Sequence, residues 1–292
     1  MIYSSILDNQ KYYSIETQCK ALNISRSSFY NWLESYEKKL ALHSKLLIKI
    51  LEIYWDSHGT YGAPRITAEL HHQGIFISQR KVSKEMHLLN IASVHSSHFP
   101  ARKSSMSANE RALIHNLILY LDISHINQVW TTDITYIHTL YDGTLYLISF
   151  MDLYSRRIVG WTLSRSQKAA DVEIALNDAI KKRKPLRGLI IHSDKGSQFR
   201  SKAYRDTLSK LGFLHSYTEF NHSCDQNANQ ESFHASIKKE CIYLTTLYYY
   251  EDAFKTIFDY IEGFYNPIRL HSSLGFLSPI QFENKANNVT FI

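Results

Sequence analysis

From about residue 127 the chain takes on a texture that few folds can satisfy. Three strand-like runs come first: Gln128 to Ile137, the almost wholly apolar Thr144 to Asp152, and Arg157 to Leu163. Ala169 to Lys182 then reads as a helix, with Val172, Ala175, Leu176 and Ile180 on one stripe. Leu189-Ile190-Ile191 is a short continuous apolar run, the mark of a strand buried on both faces. Ser201 to Leu211 reads as helix, Phe213 to Tyr217 as strand and Asn229 to Leu244 as helix. Consecutive strands followed by alternating helices and strands predict an α/β mixed sheet with flanking helices over residues 126–245. Residues 246–292 are expected to form a helical C-terminal extension.

The chain ahead of this sheet is helical. In residues 1–40, Ser14 to Leu22 predicts a helix with Ile15, Cys19 and Leu22 on one stripe. Asn23-Ile24-Ser25 reads as a turn, with Ser25 capping a second helix from Arg26 to Leu33. That is the pattern of a helix-turn-helix, and it turns Arg26, Ser27, Ser28 and Asn31 outward as candidate DNA contacts. A plain helical hairpin fits the same residues. Residues 43–95 repeat the theme. A long apolar stripe from Leu46 to Tyr54 precedes the turn Gly59 to Arg65 and a helix from Ile66 to His72. The short extended piece Gly74 to Ile77 follows. Ser78 then caps a helix whose polar side carries Arg80, Lys81 and Lys84. Residues 96–125 are expected to be a linker, Ser-, His- and Ala-rich through residue 110 and holding Arg102 and Lys103.

Charge supports a nucleic-acid partner for the first part. Residues 1–120 carry 14 Lys and Arg against 9 Asp and Glu, whereas the remainder carries 19 against 18. A basic arm beside a near-neutral domain suits DNA binding. Other classes recede. No apolar run approaches the length of a membrane span, and Met1-Ile2-Tyr3-Ser4 opens no signal-peptide pattern. A cytoplasmic, nucleoid-associated protein is therefore expected. Cys19, Cys224 and Cys241 are far apart and form no Cys-x-x-Cys pair, which argues against disulfide frameworks and thiolate zinc sites.

Three carboxylates carry the candidate chemistry. Asp133 lies in the strand Val129 to Tyr136, where Asp is a poor strand former and needs a compensating role. Asp194, in Ile191-His192-Ser193-Asp194-Lys195-Gly196, lies just past the carboxyl end of a buried strand, where open α/β sheets build their sites. Gly196 is expected to permit a sharp turn there. Glu231 begins an amphipathic helix whose stripe is Phe233, Ile237, Cys241 and Leu244. Lys238 and Glu231 share another face, and Lys239 adjoins it, so both lysines are candidate phosphate contacts. Each acid alone also fits a structural role: a strand-edge Asp, an Asp-x-Gly turn, an acidic helix start. Together they suit phosphoryl transfer on DNA. Two hard divalent cations held by carboxylates can stabilise both oxygens of an in-line displacement.

At these residues the chain resembles a known family. Trp130 to Tyr136, Asp152 to Trp161, His192 to Gln198 and Asn227 to Phe233 are similar to motifs of integrase-type transposases with an Asp-Asp-Glu triad. Phe264 to Gly275 with Ser278-Pro279, and Tyr61-Gly62 with Arg65-Ile66 and Glu69-Leu70, narrow the resemblance. They are similar to the second-reading-frame subunit, OrfB, of the bacterial insertion sequences named the IS-three family. The resemblance implies an RNase H-like core, preceded by helix-turn-helix modules, that cleaves DNA and transfers strands. It implies a triad of Asp133, Asp194 and Glu231 holding two Mg²⁺ (or Mn²⁺) ions. It also implies DNA ends and target as partners, a first-reading-frame subunit or fusion, and a homo-oligomer. The stretch from Asp194 to Glu231 is one residue longer than the family pattern, which makes Asp225 a rival third ligand. Asp152 has a structural role in that pattern, while Arg269 and His271 either touch DNA or pack. A nuclease without strand transfer and a DNA-binding regulator derived from a transposase are the other readings.

Overall fold

The computed structural model describes residues 2–96, 116–118, 121–218 and 228–289. Most of the expected linker, with Arg102 and Lys103, lies outside the described residues, as do Cys224 and Asp225. The chain divides into two compact units, Met1–Ser93 and Val94–Ile292. No helix among the described residues is long and apolar enough to cross a membrane.

The first unit is all helix: α1 (Ile2–Asp8), α2 (Ile15–Ala21), α3 (Arg26–Asp56), α4 (Ala63–His72) and α5 (Gln79–Leu88). Ile6, Cys19 and Phe29 form one small core, with Tyr3, Ile15, Trp32 and Leu33 packed around it. Ser14 and Ser25 cap α2 and α3 through their hydroxyls, as expected. Two expectations fail here. Leu22 sits at the C-cap of α2 and is half-exposed, so it does not join the stripe. And α3 does not stop at Leu33 but runs for 31 residues. Nothing between Arg26 and His58 is Gly or Pro, and Glu, Lys, Leu and Ala fill the middle. These are good helix formers with no breaker among them. Farther along α3, Ile50 and Ile53 are buried, as are Ile66 and Leu70 of α4 and Val82 and Met86 of α5. Gly74 to Ile77 forms no strand.

The second unit is built on a five-stranded sheet of β1 (Val129–Thr139), β2 (Gly143–Asp152), β3 (Ile158–Ser164), β4 (Ile190–Ser193) and β5 (Leu214–Tyr217). The strand order is β3-β2-β1-β4-β5. The first three strands pair antiparallel, and β4 and β5 add in parallel. This is the mixed sheet expected. Helix α6 (Ala169–Arg183) packs its predicted stripe on the sheet, joined by α7 (Ser197–Arg200) and α8 (Lys202–Leu211). Trp130, Ile148, Phe150, Ile191, Phe199 and Tyr204 lie in that core. Gly160 on β3 is a forced choice, because a Cβ there would sit 2.6 Å from the Ala175 carbonyl and the Ala179 amide of α6.

Beyond the sheet lie α9 (Ala228–Glu240), α10 (Tyr250–Phe258), a π-helical turn over Asp259–Tyr265, and α11 (Pro279–Val289). This C-terminal part is stitched into the sheet. The Asn266 side chain accepts from the Ile158 amide and donates to the Ile158 carbonyl, extending β3 like one more strand residue. Glu283 of α11 accepts from Arg157, from Ser155 and, at 2.8 Å through both terminal nitrogens, from Arg183.

Candidate active site

Asp133 sits in the middle of β1, opposite Ser149 of β2. One carboxylate oxygen accepts from the Ile134 amide at 2.8 Å. Burial first, and then the negative charges of Asp194 and Glu231, push its pKa from 3.8 up to about 7. The Ile134 amide and the Lys238 ammonium act in the opposite direction. Asp133 therefore feels two acids that lie far from it in sequence. Among the described residues, however, no group of three or more His, Cys, Asp or Glu side chains is gathered tightly enough to hold a metal ion.

Asp194 follows β4 directly, and its side chain accepts from the Gly196 amide at 2.9 Å. This is a local turn in which an Asp side chain binds the amide two residues on. Gly196 does not serve it in the way expected. Its φ of −52° is open to any residue, and the Gln198 side chain instead occupies the place of a Cβ. In the same motif His192 is fully buried and pairs with Ser216 of β5 at 2.9 Å. Burial pushes its pKa down to about 4, so it is a neutral strut between β4 and β5.

Glu231 stands in the first turn of α9, exposed. What seats that turn is Gln230, which is fully buried. Its amide nitrogen donates to the Thr131 carbonyl at 3.1 Å, on the strand that carries Asp133, and to the Ser149 carbonyl at 2.9 Å, on the neighbouring β2 opposite Asp133. Next on the helix, His234 lies 3.5 Å from Asp133. Burial, and then Lys238, hold its pKa down at about 3, so the ring is neutral. The sequence reading missed both residues. The signal was present, since Gln230 is a polar residue at stripe spacing from Phe233 and Ile237.

The far end of α9 is clamped as well. Arg269 is buried and donates to both oxygens of Glu240, at 2.8 and 2.6 Å. Tyr260 donates at 2.8 Å, and His95 adds a further contact. Burial alone would raise the Glu240 pKa, yet the Arg269, His95 and Tyr260 bonds hold it at about 2. Arg269 therefore packs, and Asp152 is structural too. It is fully buried and accepts from the amides of Asn127, Tyr154 and Ser155.

Comparison with known proteins agrees with this architecture. Family profiles described as Integrase core domain match residues 124–223 and 231–286, and one described as HTH-like domain matches residues 42–98. A transposase for insertion sequence IS904 of Lactococcus lactis is 37% identical over 239 residues, 80% of this chain and 92% of that one. Transposase InsF for IS3A of Escherichia coli is 34% identical over 293 residues, 98% of this chain and 99% of that one. The chain belongs to the IS3 family of transposases. Its function is DNA transposition, and its chemistry is polynucleotidyl transfer. A solved structure of the HTLV-2 integrase catalytic core domain in complex with magnesium is also similar, at 16% identity and a TM-score of 0.41, covering 59% of this chain and 99% of that one.

The transposase carries its basic candidates on three helices. Lys238 is half-buried on α9, its ammonium 4.3 Å from the centre of the Tyr136 ring, and Lys239 is half-buried beside it. In the first unit, Arg80, Lys81 and Lys84 of α5 line a shallow groove with Ser78, Ser83 and His87. Lys81 is not wholly available there, because it is paired with the buried Glu85, which His43 also contacts at 2.9 Å. On α3, Arg26 pairs with Glu16 at 3.3 Å, and Ser27 is exposed next to it.

Proposed function

We propose that Asp133, Asp194 and Glu231 are the catalytic acids of this transposase and the ligands of two divalent ions, Mg²⁺ or Mn²⁺. The observation that carries the reading is the pKa of Asp133, raised by burial together with the charges of Asp194 and Glu231. A carboxyl held in a sparsely solvated place, whose ionisation two further acids oppose, is one that a divalent cation would stabilise in its charged form. The oxygen donors suit a hard ion. Bound there, such ions would stabilise the entering and leaving oxygens of an in-line attack on a phosphodiester. The protein's own part is to fix the acids. Gln230 seats the helix that carries Glu231, β1 and β4 bring in the two aspartates, and neutral His234 packs beside Asp133 without adding charge. Water is the first nucleophile and frees a 3′-hydroxyl at an element end. That hydroxyl then attacks a second phosphodiester.

In this reading α5 presents Arg80 and Lys84 to DNA, and the α2–α3 pair forms a further helix-turn-helix with Arg26 and Ser27 outward. Two DNA ends must be joined, so the protein works as an oligomer, with a first-reading-frame subunit as partner, in the cytoplasm at the nucleoid. The test is a cleavage and strand-joining assay on DNA carrying an element end, with Mg²⁺. Asp133→Asn and Asp194→Asn should each lower the joining rate by at least a hundredfold. Full activity in both variants would refute the assignment. Cleavage without joining by the wild-type protein would favour the nuclease reading.

A further inference from the structure

A polar ring that is only 8% exposed needs partners for its nitrogens, and His234 of α9 faces one on each side. Nδ1 lies 3.5 Å from Oδ2 of Asp133. Nε2 lies 3.5 Å from the hydroxyl of the fully buried Ser149. Asp133 on β1 and Ser149 on β2 are cross-strand partners. Opposite residues of a pair turn their side chains to one face of the sheet, so the ring bridges two strands at a single spot. Gln230, one turn earlier on α9, holds the helix there through the Thr131 and Ser149 carbonyls. The other Asp133 oxygen is already taken, by the Ile134 amide at 2.8 Å. Lys238, one turn later, lies over the Tyr136 ring instead.

Donor chemistry decides which nitrogen carries the hydrogen. An ionised carboxylate can only accept, and a neutral imidazole has a single N–H. Facing Asp133, Nδ1 must be the donor. Nε2 is then an acceptor, and the Ser149 hydroxyl supplies the proton it needs. We propose that His234 is a positioning residue whose Nδ1–H holds Oδ2 of Asp133, with Ser149 fixing the tautomer, so that the carboxylate is oriented to receive a divalent ion. The inference rests on the reading of Asp133 as a ligand of that ion. Each Asp133 oxygen then has one protein donor and a lone pair to spare. The present separation exceeds a formed N–H···O bond of about 2.9 Å by roughly 0.6 Å, a gap that small side-chain rotations close. His234 also follows Glu231 by three residues, on the same side of the helix, so the contact sets the approach of that acid as well. Groups that orient a metal ligand in this way are worth roughly tenfold to a hundredfold in metal affinity.

Two measurements on the full chain test it. The first is ¹⁵N NMR of histidine-labelled protein without divalent ions, at a pH above the Asp133 pKa of about 7. The His234 signals are assigned by their loss in His234→Phe. Hydrogen on Nδ1 is expected, and hydrogen on Nε2 would overturn the proposal. The second is Mn²⁺ binding without DNA, read from the electron paramagnetic resonance signal of the free ion. His234→Phe keeps a ring but no donor, and should bind Mn²⁺ at least roughly tenfold more weakly. His234→Asn puts an amide N–H where Nδ1 stood and should recover most of that loss. Wild-type affinity in the Phe variant would overturn the proposal. So would an Asn variant as weak as the Phe variant, because packing would then explain the loss. Asp133→Asn separates this inference from the reading beneath it. If that variant keeps wild-type Mn²⁺ affinity, Asp133 is no ligand and the acid assignment falls. If it binds weakly while His234→Phe does not, the positioning role alone is removed.

Discussion

Asp133 is the residue at which the fold works against itself. A carboxylate held half-buried near two other acids is costly to ionise, and its pKa of about 7 measures that cost. The sign is fixed by linkage. A carboxyl raised from 3.8 to about 7 binds its proton more tightly when folded, so the penalty is absent below 3.8 and complete above about 7. Asp133→Asn should therefore stabilise the protein, by about 2–4 kcal/mol at pH 8 and by almost nothing at pH 4. Thermal unfolding across that range checks it, and equal Tm gains at both pH values would refute the charge account. Such strain at a site is tolerated for function. It is also why Asp133 was legible: an acidic residue inside a strand breaks a local preference. Gln230 and His234 break no such preference, so although Gln230 keeps stripe spacing with Phe233 and Ile237, a neutral polar residue there is a much weaker signal than an acid in a strand.

At the scale of elements, α9 carries the account. It is fastened at both ends, by Gln230 to the strands around Asp133 and by Glu240 to Arg269. Leaving two carbonyls without their donor in a buried place costs about 1–3 kcal/mol. Gln230→Leu should show that loss in chemical denaturation. It should also lower the joining rate more than hundredfold at temperatures where the variant remains folded, because small displacements of a catalytic group are costly. A rate matching wild type would mean that the helix needs no such seat. The strands and α6 were legible because alternation and the helical stripe follow directly from burial. The length of α3 was misread because a change of theme along the chain was taken for a break where no Gly or Pro interrupts the helix. For Arg269 the sequence left packing and DNA contact both open, since its partner Glu240 lies 29 residues away and only the packed fold brings them together.

For the whole molecule, charge and chemistry fall on different units. The first unit offers the groove of Arg80 and Lys84, and the second holds the acids. Neutralising phosphates makes affinity fall steeply with salt. Arg80→Ala and Lys84→Ala should each reduce the salt slope for duplex DNA by about one, with little effect on the stability of the second unit. An unchanged slope in both variants would remove α5 from the DNA surface. The mixed sheet itself was legible in the order of its elements, whereas the stitching of the C-terminal part through Asn266 and Glu283 was not. The central claim remains the meeting of Asp133, Asp194 and Glu231 around divalent ions. Its most direct test is to load the DNA complex with Fe²⁺ in place of Mg²⁺ and map where ascorbate and peroxide cut the polypeptide. The account predicts cuts near residues 133, 194 and 231 together, suppressed by excess Mg²⁺. Cuts that spare any one of these three segments would contradict it.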